Sequence, residues 1–104
     1  MVKNHLSNTS VLSFMEQHKM ALVSCIEMVL MMRGNANYHL IVARLNSLYD
    51  CSILKCCDHP DYLLTVLKEV YPEDYDSIID EIKSHLGELI HTKDMLNFFR
   101  VMEN

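Results

Sequence analysis

An almost unbroken apolar stretch from Met20 to Met32 dominates the hydrophobic pattern of this chain. Eleven of its thirteen residues are apolar, and only Ser24 and Glu27 interrupt it. A helix on the surface of a globular domain shows an apolar stripe about 100° wide opposite a polar face. This stretch shows no polar face, so the pattern predicts a long helix that must be covered on every side.

Three environments can cover such a helix, and its length excludes one of them. A helix needs about 20 apolar residues to span a bilayer, and this stretch is shorter and contains Glu27. Two alternatives stay open: the other helices of the chain enclose it, or a second chain covers part of it. Methionine is flexible and frequent at adaptable binding surfaces. The second alternative predicts an interface at Leu22, Val23, Met28, Leu30 and Met31.

Helix start and stop signals set the boundaries of this first helix. Ser13 and Glu16 have the S-x-x-E spacing of a capping box, in which hydroxyl and carboxylate each accept a backbone N–H. We expect the helix to start near Ser10 or Ser13 and to end at Arg33, because the following glycine can adopt the left-handed conformation that closes a helix. Residues 1–9 are predicted to be flexible.

The middle of the chain predicts a second helix and a short turn. Asn35 or Asn37 can cap a helix from Tyr38 to about Tyr49, because asparagine side chains accept the unpaired N–H groups of the first turn. The segment that follows is too long for a tight turn and too apolar for a free loop. There we predict one helical turn beginning at Ser52.

Two prolines predict the starts of further helices. Proline lacks the N–H that is unpaired anyway in a first helical turn, so Pro60 begins a third helix and Pro72 a fourth. Gly87 is expected to end the fourth helix, and Thr92 can cap a fifth. The sequence therefore predicts an all-α fold, a compact bundle of about five helices with short connections, in which residues 10–104 form a single helical domain.

Composition supports this fold and narrows the function. Half of the 104 residues are apolar, and two glycines and two prolines leave little turn chemistry for an all-β fold. Nucleic-acid binding needs a positive surface, whereas this chain has a formal net charge of −5 and scattered basic residues. We therefore expect no nucleic-acid partner. Four cysteines without a signal peptide predict reduced thiols and a cytoplasmic location. We also expect no membrane partner.

One cluster of residues has the chemistry of a metal or redox site: Cys51, Cys56, Cys57 and His59. Thiolates and imidazole are zinc ligands, but the C-x4-C-C-x-H spacing differs from that of the usual structural sites. Three interpretations stay open: buried thiols that act as small hydrophobes, a metal site, and a redox pair formed by Cys56 with Cys51 or with Cys57. His59 precedes Pro60 and is interpreted as a helix cap.

The chain contains none of the common catalytic motifs. Phosphate-binding loops, the nucleophile elbow and the paired-histidine zinc motif are all missing from the sequence, and each depends on a fixed spacing of its residues. We therefore expect a protein that is not an enzyme, with no catalytic residues and no cofactor.

Residues 38–86 carry motifs that resemble a known family. The matching positions are Leu45-x-x-x-Tyr49-x-Cys51-Ser52, Cys56-x-x-His59-Pro60-x-Tyr62-Leu63-x-x-Val66-Leu67-Lys68-Glu69-Val70 and Tyr75-x-x-Ile78-Ile79-x-x-Ile82-x-x-x-Leu86. They are similar to those of the Nitrosopumilus output domain, a small all-helical archaeal family. The resemblance implies a compact helical module at the output or interaction end of archaeal signalling chains, and it implies no catalytic residues.

Together these observations give two functional hypotheses. The first is a cytoplasmic, non-catalytic interaction module whose protein partner is a second copy of itself, bound through the first helix. The alternative is a metal- or redox-responsive sensor that uses the cluster around Cys56.

Overall fold

The computed structural model describes residues 15–104, and its regular structure there is entirely helical. The prediction of an all-α bundle is thus confirmed. The described residues form six α-helices, with a 3₁₀ segment, Gly87–His91, between the last two. The helices are α1 (Glu16–Met32), α2 (Asn35–Tyr49), α3 (Ile53–Cys56), α4 (Pro60–Val70), α5 (Tyr75–Leu86) and α6 (Lys93–Met102).

The helices surround one apolar core to which every α-helix contributes. α1 packs against α2, α3 and α5, while α4 packs against α2, α3 and α6. The largest fully buried side chains are Leu22, Ile26, Val29, Leu30, Ile41, Leu45, Leu63, Leu67, Ile78, Ile82, Met95 and Met102. Within residues 15–104, no helix has the length and apolarity needed to cross a bilayer.

The predicted helix starts at Ser52 and Pro60 are confirmed. Ser52 is the N-cap of the single-turn helix α3, and its hydroxyl accepts the backbone N–H of Lys55 at 3.2 Å. Pro60 is the first residue of α4, where its missing N–H costs no hydrogen bond. Both starts depend on local chemistry, which sequence alone can show.

The start of α1 differs from the capping-box prediction. α1 begins at Glu16 with Met15 in the N-cap position, and no side chain of that residue caps the helix. The Met15 N–H instead donates, at 3.2 Å, to the carboxylate of Asp94 on α6. Ser10, Ser13 and the predicted flexible segment 1–9 lie outside the described residues.

Two further boundary predictions and one predicted capping hydrogen bond are corrected by the structure. α2 begins at Asn35 with Gly34, at φ 135°, as its N-cap residue, so neither asparagine takes the predicted cap position. Residues 72–74 form a turn, and α5 begins only at Tyr75. Thr92 is the N-cap of α6, but its hydroxyl accepts no helix N–H; its single proton has two acceptors, the Leu89 carbonyl at 2.7 Å and the Asp94 carboxylate at 2.9 Å.

Candidate interaction surface and cysteine cluster

Within residues 15–104, the other helices cover only one side of α1. Leu22, Ile26 and Val29 on that side are at most 1% exposed. On the opposite side Met20, Met28 and Met31 are 54%, 39% and 44% exposed. The two sets follow the helical repeat, so an outward-facing line of residues runs along α1 at positions 20, 24, 28 and 31. We call Met20, Ser24, Met28 and Met31 the methionine face.

The structure divides the five residues that the sequence indicated as an interface. Leu22 and Leu30 are fully buried in the chain's own core, so they offer no surface to a partner. Val23 is half-buried against the same core. Only Met28 and Met31 are substantially exposed. The sequence could not separate them, because a helix without a polar face does not show which side meets the core.

Met20 was missed as a surface residue. It lies one turn before Ser24 and two turns before Met28, on the same side of α1, since residues four apart share a helix face. This four-residue spacing was the one signal in the sequence that could have placed Met20 beside Met28. It becomes informative only once the buried side is known.

Apart from Glu16 at the start of α1, the exposed residues of this helix, including the methionine face, carry no charge. The exposed positions of α1 after its first residue are Gln17, Met20, Ser24, Met28, Met31 and Met32. Two of the charged groups of α1 are drawn into contacts elsewhere: Lys19 binds Asp58 at 3.1 Å, and Glu27 accepts the Tyr38 hydroxyl at 3.1 Å. Interface centres are typically depleted in charge and enriched in methionine. This part of the surface has that composition.

The uncharged surface continues onto the first turns of α2. Residues 35–37, 39 and 40 are exposed and include no acidic or basic side chain except His39, and Leu40 is 45% exposed. Arg33, which lies between α1 and α2, binds Glu81 of α5 at 3.0 Å and Ser77 at 3.0 Å. Its charge is therefore turned toward α5.

The cysteine cluster has a different character, because it is buried. Cys51, Cys56 and Cys57 are all free thiols with at most 6% exposure. The Sγ atoms of Cys51 and Cys56 lie 3.4 Å apart, and the Cys51 Sγ also donates to the Ser52 carbonyl at 3.3 Å. The structure thus brings together one of the two predicted cysteine pairs.

His59 is exposed and engaged in a stack of aromatic rings. Its ring stacks on Tyr62 with centroids 4.9 Å apart, and Tyr62 stacks on Tyr49 at 4.2 Å. His59 is the N-cap residue of α4, but its side chain makes no capping hydrogen bond, which corrects the predicted cap. Across residues 15–104, no group of three or more histidine, cysteine or acidic side chains is placed to hold a metal ion.

Burial keeps the inner thiols protonated. It strongly raises the pKa of Cys56, and the hydrogen bond with Cys51 raises it further. Burial also raises the pKa of Cys57 to about 12, although the nearby Lys19 opposes the shift. The thiolate is the nucleophilic form of cysteine. Neither of these two thiols is therefore activated as a nucleophile in the folded protein.

Comparison of the chain with family models, with characterised proteins and with solved structures gave no match. The similarity of residues 38–86 to the Nitrosopumilus output domain therefore stays a prediction, and the proposals below depend on the geometry.

Proposed function

We propose that this protein is a non-catalytic helical interaction module that self-associates through the methionine face of α1. The observation that carries the proposal is the exposure of Met20, Met28 and Met31 along one side of a helix whose other side is fully buried. Monomers rarely leave large contiguous apolar patches in water, so a partner that covers this side gains hydrophobic stabilisation. The family resemblance supports a signalling output role for the assembled module in the cytoplasm.

A second copy of the chain is the partner that fits this surface best. The four residues of the methionine face carry no charge, and Glu16 at one end of α1 is the nearest exposed charged residue of that helix, so an uncharged, apolar surface matches the face best. The methionine face has this character. A two-fold axis brings the same patch of both copies together, and flexible methionines can adjust to one another. Ser24, at the middle of the face, is small enough to let the helices approach closely.

A paired substitution tests the proposal. Met28→Lys with Met31→Lys places two charges in the middle of the face, where both side chains are exposed in the single chain, so the fold should tolerate them. Burying one such side chain is worth roughly 1.5–3 kcal/mol, and about 1.4 kcal/mol is tenfold in affinity. We expect sedimentation equilibrium to show a wild-type dimer and a variant whose dissociation constant is higher by at least about a hundredfold.

Leu96→Lys is the matched control, because Leu96 is an apolar residue of α6 that is 51% exposed and does not belong to the methionine face. It should leave the dimer unchanged, and circular dichroism should show the same helicity in all three proteins. A wild-type protein that remains monomeric at the highest concentration measured contradicts the proposal. A variant with both Met28→Lys and Met31→Lys that still dimerises contradicts it too. A pull-down with the wild-type protein then tests for a different protein partner.

A further inference from the structure

We propose that Cys51 and Cys56 form a reversible dithiol site, which a low-molecular-weight disulfide oxidises to an intramolecular disulfide bond. The proposal goes beyond the self-association described above and does not depend on it. It concerns a buried pair of thiols whose sulfur atoms are in contact.

Geometry selects this pair among the cysteines. The Cys51 and Cys56 Sγ atoms are 3.4 Å apart, so they must approach by roughly 1.4 Å to reach the 2.05 Å of a disulfide bond. The other described cysteines are Cys57, which follows Cys56 directly in the chain, and Cys25 on α1. Among the described residues, no other pair of sulfur atoms forms a hydrogen-bonded contact.

The backbone around the pair can admit a reagent. Cys51 lies between α2 and α3, and Cys56 ends α3, a helix of only four residues. A single turn has little stability of its own, and such segments open locally at much lower free energy than the whole fold. Cys51, at 6% exposure, is the more accessible sulfur, whereas Cys56 is fully buried. The first attack therefore starts from Cys51.

The chemistry balances in two exchange steps. The Cys51 thiolate attacks one sulfur of the external disulfide R–S–S–R, forms a mixed disulfide and releases R–S⁻, which takes up the proton that Cys51 lost. The Cys56 sulfur, after losing its proton, then attacks the Cys51 sulfur, and the second R–S⁻ leaves and is protonated. The protein loses two protons and two electrons, and the external disulfide is reduced to two thiols.

Trypsin makes this bond easy to locate. Lys55 lies between the two cysteines, so digestion separates Cys51 in peptide 45–55 from Cys56 and Cys57 in peptide 56–68, while Cys25 falls in peptide 20–33. The native protein is incubated with 2-hydroxyethyl disulfide, the remaining thiols are alkylated in denaturant, and the digest is analysed by mass spectrometry. We expect peptides 45–55 and 56–68 to appear linked, and dithiothreitol to release them.

Alanine variants distinguish the two neighbouring cysteines, since alanine suits these buried positions. Cys57→Ala should keep the link, and Cys56→Ala should lose it. A link that persists at wild-type yield in Cys56→Ala overturns the proposal, as does native protein whose cysteines are recovered only as free thiols, as mixed adducts or linked to peptide 20–33. Fragmentation of the wild-type linked peptide identifies the bonded cysteine directly, so the test holds even if a variant does not fold.

Discussion

Two buried tyrosines, four residues apart, show that burial alone does not determine what a hydroxyl contributes to the stability of the fold. Tyr71 and Tyr75 are both buried, at 8% and 4% exposure. The Tyr75 hydroxyl donates to the Met102 carbonyl at 2.7 Å and so ties α5 to the end of α6. The Tyr71 hydroxyl has no hydrogen-bond partner among the described residues. A buried polar group without a partner costs about 1–3 kcal/mol, whereas a satisfied one contributes about 1 kcal/mol.

Removing each hydroxyl should therefore have opposite effects on stability. Tyr71→Phe removes an unpaired polar atom, so we expect the free energy of unfolding to stay the same or to rise by up to about 1 kcal/mol. Tyr75→Phe removes a hydrogen bond and should lower it by about 1 kcal/mol. Urea denaturation of both variants measures the difference. If Tyr71→Phe is as destabilising as Tyr75→Phe, the Tyr71 hydroxyl has a binding partner after all.

At the scale of the elements, local chemistry predicted two helix starts correctly, but it failed at Pro72, and the packing was not predictable from the sequence. The starts at Ser52 and Pro60 depend on a side chain or ring next to the helix they begin, and both were predicted. The N-terminus of α1 receives its carboxylate from Asp94, far away in the sequence, so no local pattern could reveal it. The buried side of α1 and the Cys51 and Cys56 contact likewise depend on how the helices meet.

The end of α2 contains a backbone conformation that can be tested by substitution. Asp50 adopts φ 52° and ψ 47°, the left-handed region, and is the one described residue other than glycine with positive φ. Its N–H donates to the Asn46 carbonyl at 3.0 Å, and the N–H of Cys51 donates to the Leu45 carbonyl. The turn therefore closes α2 and places Cys51 beside α3.

Glycine should suit position 50 better than aspartate, and valine much worse. Glycine adopts the left-handed region without steric cost, and loss of the carboxylate removes a negative charge from the negative end of the helix dipole. We expect Asp50→Gly to raise the free energy of unfolding by roughly 0.5–1 kcal/mol and Asp50→Val to lower it by roughly 1–2 kcal/mol. Thermal denaturation measures both.

The control for this prediction is a glycine substitution one turn earlier, inside α2. Ser47 is exposed within α2 and outside the left-handed turn, so Ser47→Gly should destabilise the protein, since glycine in a helix is unfavourable by up to about 1 kcal/mol. Equal effects of glycine at positions 47 and 50 would show that the turn conformation is not under strain.

At the scale of the whole molecule, Asp94 joins the first and last helices. Its carboxylate accepts the Met15 N–H at 3.2 Å and contacts His18 Nδ1 of α1 at 2.9 Å. It also accepts the Thr92 hydroxyl at 2.9 Å, within its own helix start. Both Asp94 and His18 are largely buried side chains. Asp94 thus forms a polar connection between α1 and α6, two helices whose other contacts to the bundle are mainly apolar.

This connection should make the stability of the protein depend on pH in the acid range. Burial by itself raises the pKa of Asp94, but the hydrogen bonds from His18, Thr92 and the Met15 backbone outweigh it, so the pKa lies below its ordinary value of 3.8. A carboxyl whose pKa is lower in the folded than in the unfolded state stabilises the fold above its unfolded pKa. That contribution disappears as the pH falls through the folded pKa.

Asp94→Asn therefore separates this contribution from general acid unfolding. Urea denaturation at pH 7 should show the wild type more stable than Asp94→Asn, and the difference should shrink progressively as the pH falls below about 4. Asp80→Asn changes an exposed carboxylate of α5 and should give a small difference that hardly depends on pH. If the two variants follow parallel curves against pH, the carboxylate of Asp94 does not hold α1 to α6, and the apolar core alone keeps the first helix in place.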